Sequence, residues 1–213
     1  MKTADLIEAL APDALALNPA RVAQRFQRKL AAGAMLALGA AVLLLGVRPD
    51  LAVAWELPMF WMKLLLPASL AATAMVVLFR LCHPGMRLEA LPAAAVVPLA
   101  AVWTLAAVVL LAVPPGERPP LVFGETWLEC PVSITLLSVP ALWLAFRAAR
   151  ELAPTRLSLA GAAAGLFAGA VAAVAYALHC PETQPPFLAT WYVLGMLIPT
   201  GAGAFLGRRL LHW

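Results

Sequence analysis

Three cysteines, Cys82, Cys130 and Cys180, are the most reactive side chains in the sequence. Cys130 stands between Glu129 and Pro131, and Cys180 stands between His179 and the pair Pro181-Glu182. Thiol, imidazole and carboxylate groups are donors from which metal sites are built, so Cys130, His179, Cys180 and Glu182 form a candidate ligand set. Two thiols can equally form a stabilising disulfide, remain unpaired, or act as a sensor. Residue type alone leaves these readings open. Thiol-exchange catalysis is disfavoured, because membrane disulfide-transfer enzymes use relay pairs that usually include Cys-x-x-Cys, and the sequence has none. Serine-hydrolase, phosphate-binding and zinc-protease motifs are absent as well. The expectation is a protein that is not an enzyme and carries no cofactor.

The elements that must position these cysteines follow from composition. The 213 residues are 63% hydrophobic and 12% charged. A soluble domain carries about 25% charged residues, so this chain lacks the polar surface to dissolve. Disorder is excluded by the same composition. About 20 apolar residues span a bilayer as a helix. Six segments meet that length, at about 30–47, 60–82, 91–113, 127–146, 157–178 and 188–207. The fold expected is an all-α integral membrane protein, a bundle of six transmembrane helices over residues 30–213. The second and third should form an antiparallel hairpin. No cleavable signal peptide is expected, since the first long apolar run begins only near Leu30. Residues 1–29 then form a separate cytoplasmic segment.

Lys and Arg are retained on the cytoplasmic side of membrane proteins. With six spans, one side collects Lys2, Arg21, Arg25, Arg28, Lys29, Arg80, Arg87, Arg147, Arg150, Arg156, Arg208 and Arg209; the other holds Arg48, Lys63 and Arg118. Twelve against three of the 15 basic residues puts both termini in the cytoplasm. The net charge of +4 is then a topology signal and gives no support for direct nucleic-acid binding. Cys130, His179 and Cys180 fall together on the outer side, whereas Cys82 falls at the cytoplasmic end of the second span.

Ionisable groups deep in a bilayer mark ion paths and proton relays. None lies mid-span here, and Lys63, Glu125 and Glu129 sit near span ends, where side chains can snorkel to water. A proton-coupled transporter or an ion channel is hard to build from such spans. A small transporter or channel for an uncharged solute is the remaining alternative, favoured only by Pro67, Pro98, Pro140 and Pro199. Prolines are also tolerated when neighbouring helices satisfy the freed carbonyl, and no polar cluster accompanies these. Gly161, Gly165 and Gly169 line one face of the fifth span and read as close packing inside the bundle, with a homo-oligomer contact as the alternative. Trp55, Trp61, Trp127 and Trp191 fall near one interface, as an aromatic belt does.

Residues 1–18 and 19–29 differ in charge. The first stretch has Asp5, Glu8 and Asp13 against Lys2; the second has Arg21, Arg25, Arg28 and Lys29. Leu6, Ile7 and Leu10 are the apolar positions of a short helix that Pro12 should interrupt, with Leu15 and Leu17 beyond it. Such a helix is marginal alone and gains order by laying its apolar face in a partner's groove. A frayed terminus or a helix resting on the membrane fits the composition equally well. Asn18-Pro19 reads as N-cap and first residue of a helix that runs on into the first span, its basic residues facing anionic lipid.

Taken together, the chain resembles the NrsF family of multi-pass membrane anti-sigma factors. The resemblance rests on residues 3–11 (TADLIEALA), 48–51 (RPDL), 58–63 (PMFWMK), 123–130 (FGETWLEC), 152–165 (LAPTRLSLAGAAAG), 178–182 (LHCPE) and 191–213, in that order and spacing. It implies a bacterial inner-membrane protein whose cytoplasmic N-terminal segment binds an extracytoplasmic-function sigma factor through Leu6, Ile7, Leu10, Leu15 and Leu17. It implies further that Cys130 and Cys180 sense oxidant or heavy-metal stress on the periplasmic side and that the signal releases the sigma factor.

Overall fold

The computed structural model describes residues 19–83, 85, 86, 88 and 91–212. Every regular element among them is helical. Six helices are long and apolar enough to cross a membrane, and we number them α1 to α6. Helix α1 is Pro19–Ala40, continued by a π-helical turn over Ala41–Leu45. Then come α2 (Pro58–Leu81), α3 (Leu91–Ala112), α4 (Glu129–Arg150) and α5 (Leu157–Ala177). Helix α6 (Val193–Leu210) follows Pro185–Phe187 and a π-helical turn over Leu188–Tyr192, so the sixth span begins at Pro185. That is earlier than its apolar run suggests. Pro185 and Pro186 lack the N–H groups that a first helical turn leaves unpaired, so they start a helix well.

The expected six-span architecture is therefore present, with ends that differ by a few residues. Helix α1 is described from Pro19 and as a span covers Ala20–Leu45, while Asn18, the expected N-cap, lies outside the described residues. Pro67, Pro98, Pro140 and Pro199 all lie inside unbroken helices. Several hydroxyls bond back to carbonyls a turn earlier, as Ser69 does to Leu66 and Thr200 to Met196. Among the described residues, then, the prolines do not split a helix into the two halves that line transporter sites.

Helix α5 is the centre of the bundle. Its sequence is dominated by Ala and Gly, and 14 of its 21 residues are buried. Small residues let backbones approach closely, which is the chief attraction between helices in lipid. The glycine stripe packs on α6: a Cβ at Gly161 would meet Gly203 O and lie 2.8 Å from Gly207 Cα, and one at Gly165 would meet Pro199 O and lie 2.7 Å from Thr200 Cα. Gly203 and Gly207 reciprocate. The stripe is glue within one chain.

An even number of spans gathers the connections 46–57, 113–128 and 178–184 at one end of the bundle, here called the distal end, away from residues 20 and 210. Aromatic side chains collect there, with Trp55 against Trp61 at 4.6 Å and Trp127 against Trp191 at 5.2 Å between ring centroids. The core has two parts. One, toward the terminal end, includes Phe26, Leu78, Cys82, Phe146 and Phe167; the other, toward the distal end, includes Ile134, Tyr176, Phe187, Tyr192, Cys130 and Cys180.

Candidate functional site

The distal core brings Cys130 and Cys180 together. Cys130 occupies the first turn of α4, its N–H bonded to Thr126 O at 2.9 Å. Cys180 follows the end of α5, its N–H bonded to Tyr176 O at 3.0 Å. Both thiols are free and fully buried, and they belong to one cluster with Tyr176 and Tyr192. Cys82 lies in the other core, away from this pair.

Lys63 overturns the expectation of a side chain reaching water at a span end. It lies in the second turn of α2 with 0% of its surface exposed. The reason is local packing: the chain after α5 folds over the distal end of α2 and offers its carbonyls inward. Lys63 Nζ donates to Cys180 O and to Glu182 O, both at 2.7 Å, and stands 5.2 Å from the centroid of the Tyr192 ring. Two charge-assisted hydrogen bonds and a cation–π contact offset part of the desolvation of the ammonium. Its electrostatic neighbours also include the Cys180 and Cys130 thiols and Arg48.

Arg48 reaches the same segment from the end of α1. Its Nη1 donates to Cys180 O at 3.3 Å and its backbone N–H to Leu178 O at 3.0 Å. The guanidinium also makes a fork with Asp50, Nε to Oδ1 at 2.6 Å and Nη2 to Oδ2 at 2.5 Å. That pairing holds the Asp50 carboxyl below the usual carboxylate range and raises Arg48.

The other two members of the candidate metal set point elsewhere. His179 Nδ1 faces Gly46 O at 3.2 Å, so that nitrogen carries the proton. Glu182 Oε1 accepts from the Glu125 N–H at 2.9 Å, and its carboxylate sits where a Cβ on Gly124 would be. Gly124 has φ +54 and leaves that space free. Among the described residues no three His, Cys, Asp or Glu side chains form a group that could hold a metal ion. His179 and Glu182 instead tie the Cys180 segment to the end of α1 and to the connection before α4.

Sequence reasoning found the cysteines but missed Lys63, Tyr192 and Arg48. One signal was available: Lys63 is the only basic residue well inside the span that begins at Pro58 until Arg80 near its end, and an ionisable residue in a span is a functional candidate by default.

With this geometry in place, similarity to known proteins decides the family. Residues 10–213 match the family described as "Negative regulator of sigma F". The chain belongs to the NrsF family. Over full length on both sides it is 47% identical to the "Probable anti-sigma-F factor NrsF" of Azospira oryzae and 40% identical to the "Anti-sigma-F factor NrsF" of Caulobacter vibrioides. No solved structure matches significantly. NrsF proteins are regulators rather than enzymes. The residues expected to bind the sigma factor, Leu6, Ile7, Leu10, Leu15 and Leu17, lie outside the described residues.

Proposed function

We propose that this NrsF protein is an inner-membrane anti-sigma factor with both termini in the cytoplasm and the distal end in the periplasm. Its N-terminal segment holds an extracytoplasmic-function sigma factor away from RNA polymerase, with Leu6, Ile7, Leu10, Leu15 and Leu17 as the docking positions. Release follows when a thiol-reactive stress agent modifies Cys130 and Cys180. The observation that carries this reading is that two free, buried thiols lie in one distal core, one of them on a segment bonded to the end of α1. Helix α1 continues directly toward residues 1–18 at the opposite end. A change at the thiols therefore has a helical route to the docking segment, provided that it favours one of two bundle arrangements over the other.

The test is co-purification of the detergent-solubilised protein from its host, with and without residues 1–18. A sigma factor is expected only with the intact segment, and treatment of cells with hydrogen peroxide should release it. The double change Cys130→Ser, Cys180→Ser should keep the sigma factor bound under that treatment. Absence of a sigma factor from intact protein of unstressed cells would overturn the sequestration; unaltered release from the double variant would overturn the sensing.

A further inference from the structure

Two features of the distal core bear on the reactivity of its thiols. One is the fully buried ammonium of Lys63, held against the Cys180 segment by two carbonyls. The other is the Tyr192 hydroxyl, which is buried and has no hydrogen-bond partner among the described residues. Orphaned buried donors are rare and call for an explanation. The Cys180 and Cys130 thiols are its electrostatic neighbours, as they are of Lys63. A neutral thiol is a weak acceptor and gives such donors little. A thiolate is a strong one. A cation held on the Cys180 backbone carbonyl, with a buried O–H donor that has no other partner in the same core, would favour the charged form of the Cys180 thiol, in the way preorganised donors stabilise charge at reactive centres.

We propose that Lys63, assisted by the Tyr192 hydroxyl, is the positioning residue that makes Cys180 the first of the two thiols to react. The proposal rests on the reading of Cys130 and Cys180 as the signal-receiving pair. Cys180 loses its proton to solvent, and the thiolate stands against the Lys63 ammonium. It then attacks the electrophilic sulfur or oxygen of the incoming agent, whose leaving group departs with the bonding pair. Cys130 belongs to the same core cluster as the second thiol, but Lys63 bonds to the backbone of Cys180 and not to that of Cys130. Other ionisable groups near the pair are Arg48, Tyr176, Tyr192 and Glu182, together with the chain neighbours His179 and Glu129. Arg48 also donates to the Cys180 carbonyl and adds positive potential there. Glu182 turns its carboxylate away, toward the Glu125 N–H.

The probe is methyl methanethiosulfonate, small and uncharged enough to enter the core. The thiolate attacks its sulfenyl sulfur, forms a methyl disulfide and expels methanesulfinate. The full chain in native membranes is treated across a pH series, and modification of each cysteine is followed by mass spectrometry. In the natural protein Cys180 should react faster than Cys130. Lys63→Met should slow Cys180 about tenfold near neutral pH and move its pH profile up by about one unit, the size of a typical nearby-charge effect. Lys63→Arg should restore both. Tyr192→Phe should slow Cys180 by a smaller factor. Equal rates and equal pH profiles for Cys180 in the natural protein and in Lys63→Met overturn the proposal. If Lys63→Met does not accumulate, the natural protein decides alone, because Cys130 reacting before Cys180 overturns it too. No sigma factor enters these measurements, so Lys63 dependence with no effect of thiol modification on sigma binding would refute the sensing function and leave this proposal standing.

Discussion

At the scale of single residues, the fork between Arg48 and Asp50 is the clearest titratable contact outside the spans. The guanidinium hydrogen bonds lower the native carboxyl of Asp50, so the folded form binds its proton less readily than the unfolded chain. The sign follows. A depressed native carboxylate contributes stability that is fully present above the unfolded value, near pH 4, and is lost as pH falls below it. Asp50→Asn should therefore unfold at a lower temperature than the natural protein by an amount that is constant from neutral pH down to about pH 5 and vanishes under more acidic conditions. Thermal unfolding of the detergent-solubilised protein across that range measures it. The difference will be small, because Asp50 is half exposed and water screens the pair. A gap that widened on acidification would contradict the assignment. Charge counting placed Arg48 and Lys63 on one side of the membrane, but only tertiary structure puts both on the Cys180 carbonyl. That carbonyl belongs to a segment following α5, over one hundred residues along the chain, and its conformation has no periodic signature.

At the scale of elements, helix pairs were legible where their residue types admit one arrangement. The Gly161, Gly165 and Gly169 stripe announced a close backbone approach, and α6 fills it with Gly203, Gly207 and Pro199. The span ends were less legible, because hydropathy does not register that Pro185 and Pro186 start a helix or that α4 continues to Arg150. The stripe gives a sharp contrast among glycines. A side chain at Gly165 would meet the α6 backbone at Pro199 O and Thr200 Cα, neither of which can turn aside. Gly165→Val should destabilise the bundle by about 2–3 kcal/mol or more, the range of overpacking in a tight core. At Gly39 and Gly201 a Cβ would have nothing within 4 Å of it. Gly39→Ala and Gly201→Ala should change stability by no more than about 1 kcal/mol, in the stabilising direction if helix propensity dominates. Unfolding in mixed micelles with increasing sodium dodecyl sulfate ranks the three variants. Equal losses at Gly165 and Gly201 would mean that the stripe is not where α5 and α6 meet.

At the scale of the whole molecule, α1 connects the two regions on which the proposed function depends. It is 26 residues long as a span, and at 1.5 Å per residue it extends about 40 Å. At its distal end Arg48 and Gly46 are bonded to the Cys180 segment. Toward the other end Phe26 packs edge-on against Phe79 of α2 at 5.3 Å, and Lys29 pairs with Glu151 after α4. The exposed ion pair contributes little, whereas buried Phe26 anchors the helix. Among the described residues, movement of the Cys180 segment thus acts on the end of α1 through few bonds, and the Arg48 side chain supplies one of them. Arg48→Gln should separate reaction from response. Cys130 and Cys180 would still be modified, while the sigma factor released per modified thiol would fall about fivefold or more, the low end of typical coupling between sites. The two quantities are read on one sample, modification by mass spectrometry and release by co-purification after methanethiosulfonate treatment. Normalising release to modification matters, because Arg48 also adds positive potential near Cys180. If the variant releases as much sigma factor per modified thiol as the natural protein, the signal reaches residues 1–18 by another route. The remaining candidate is then α5, the central helix, whose end carries Cys180 and whose neighbours include both α1 and α6.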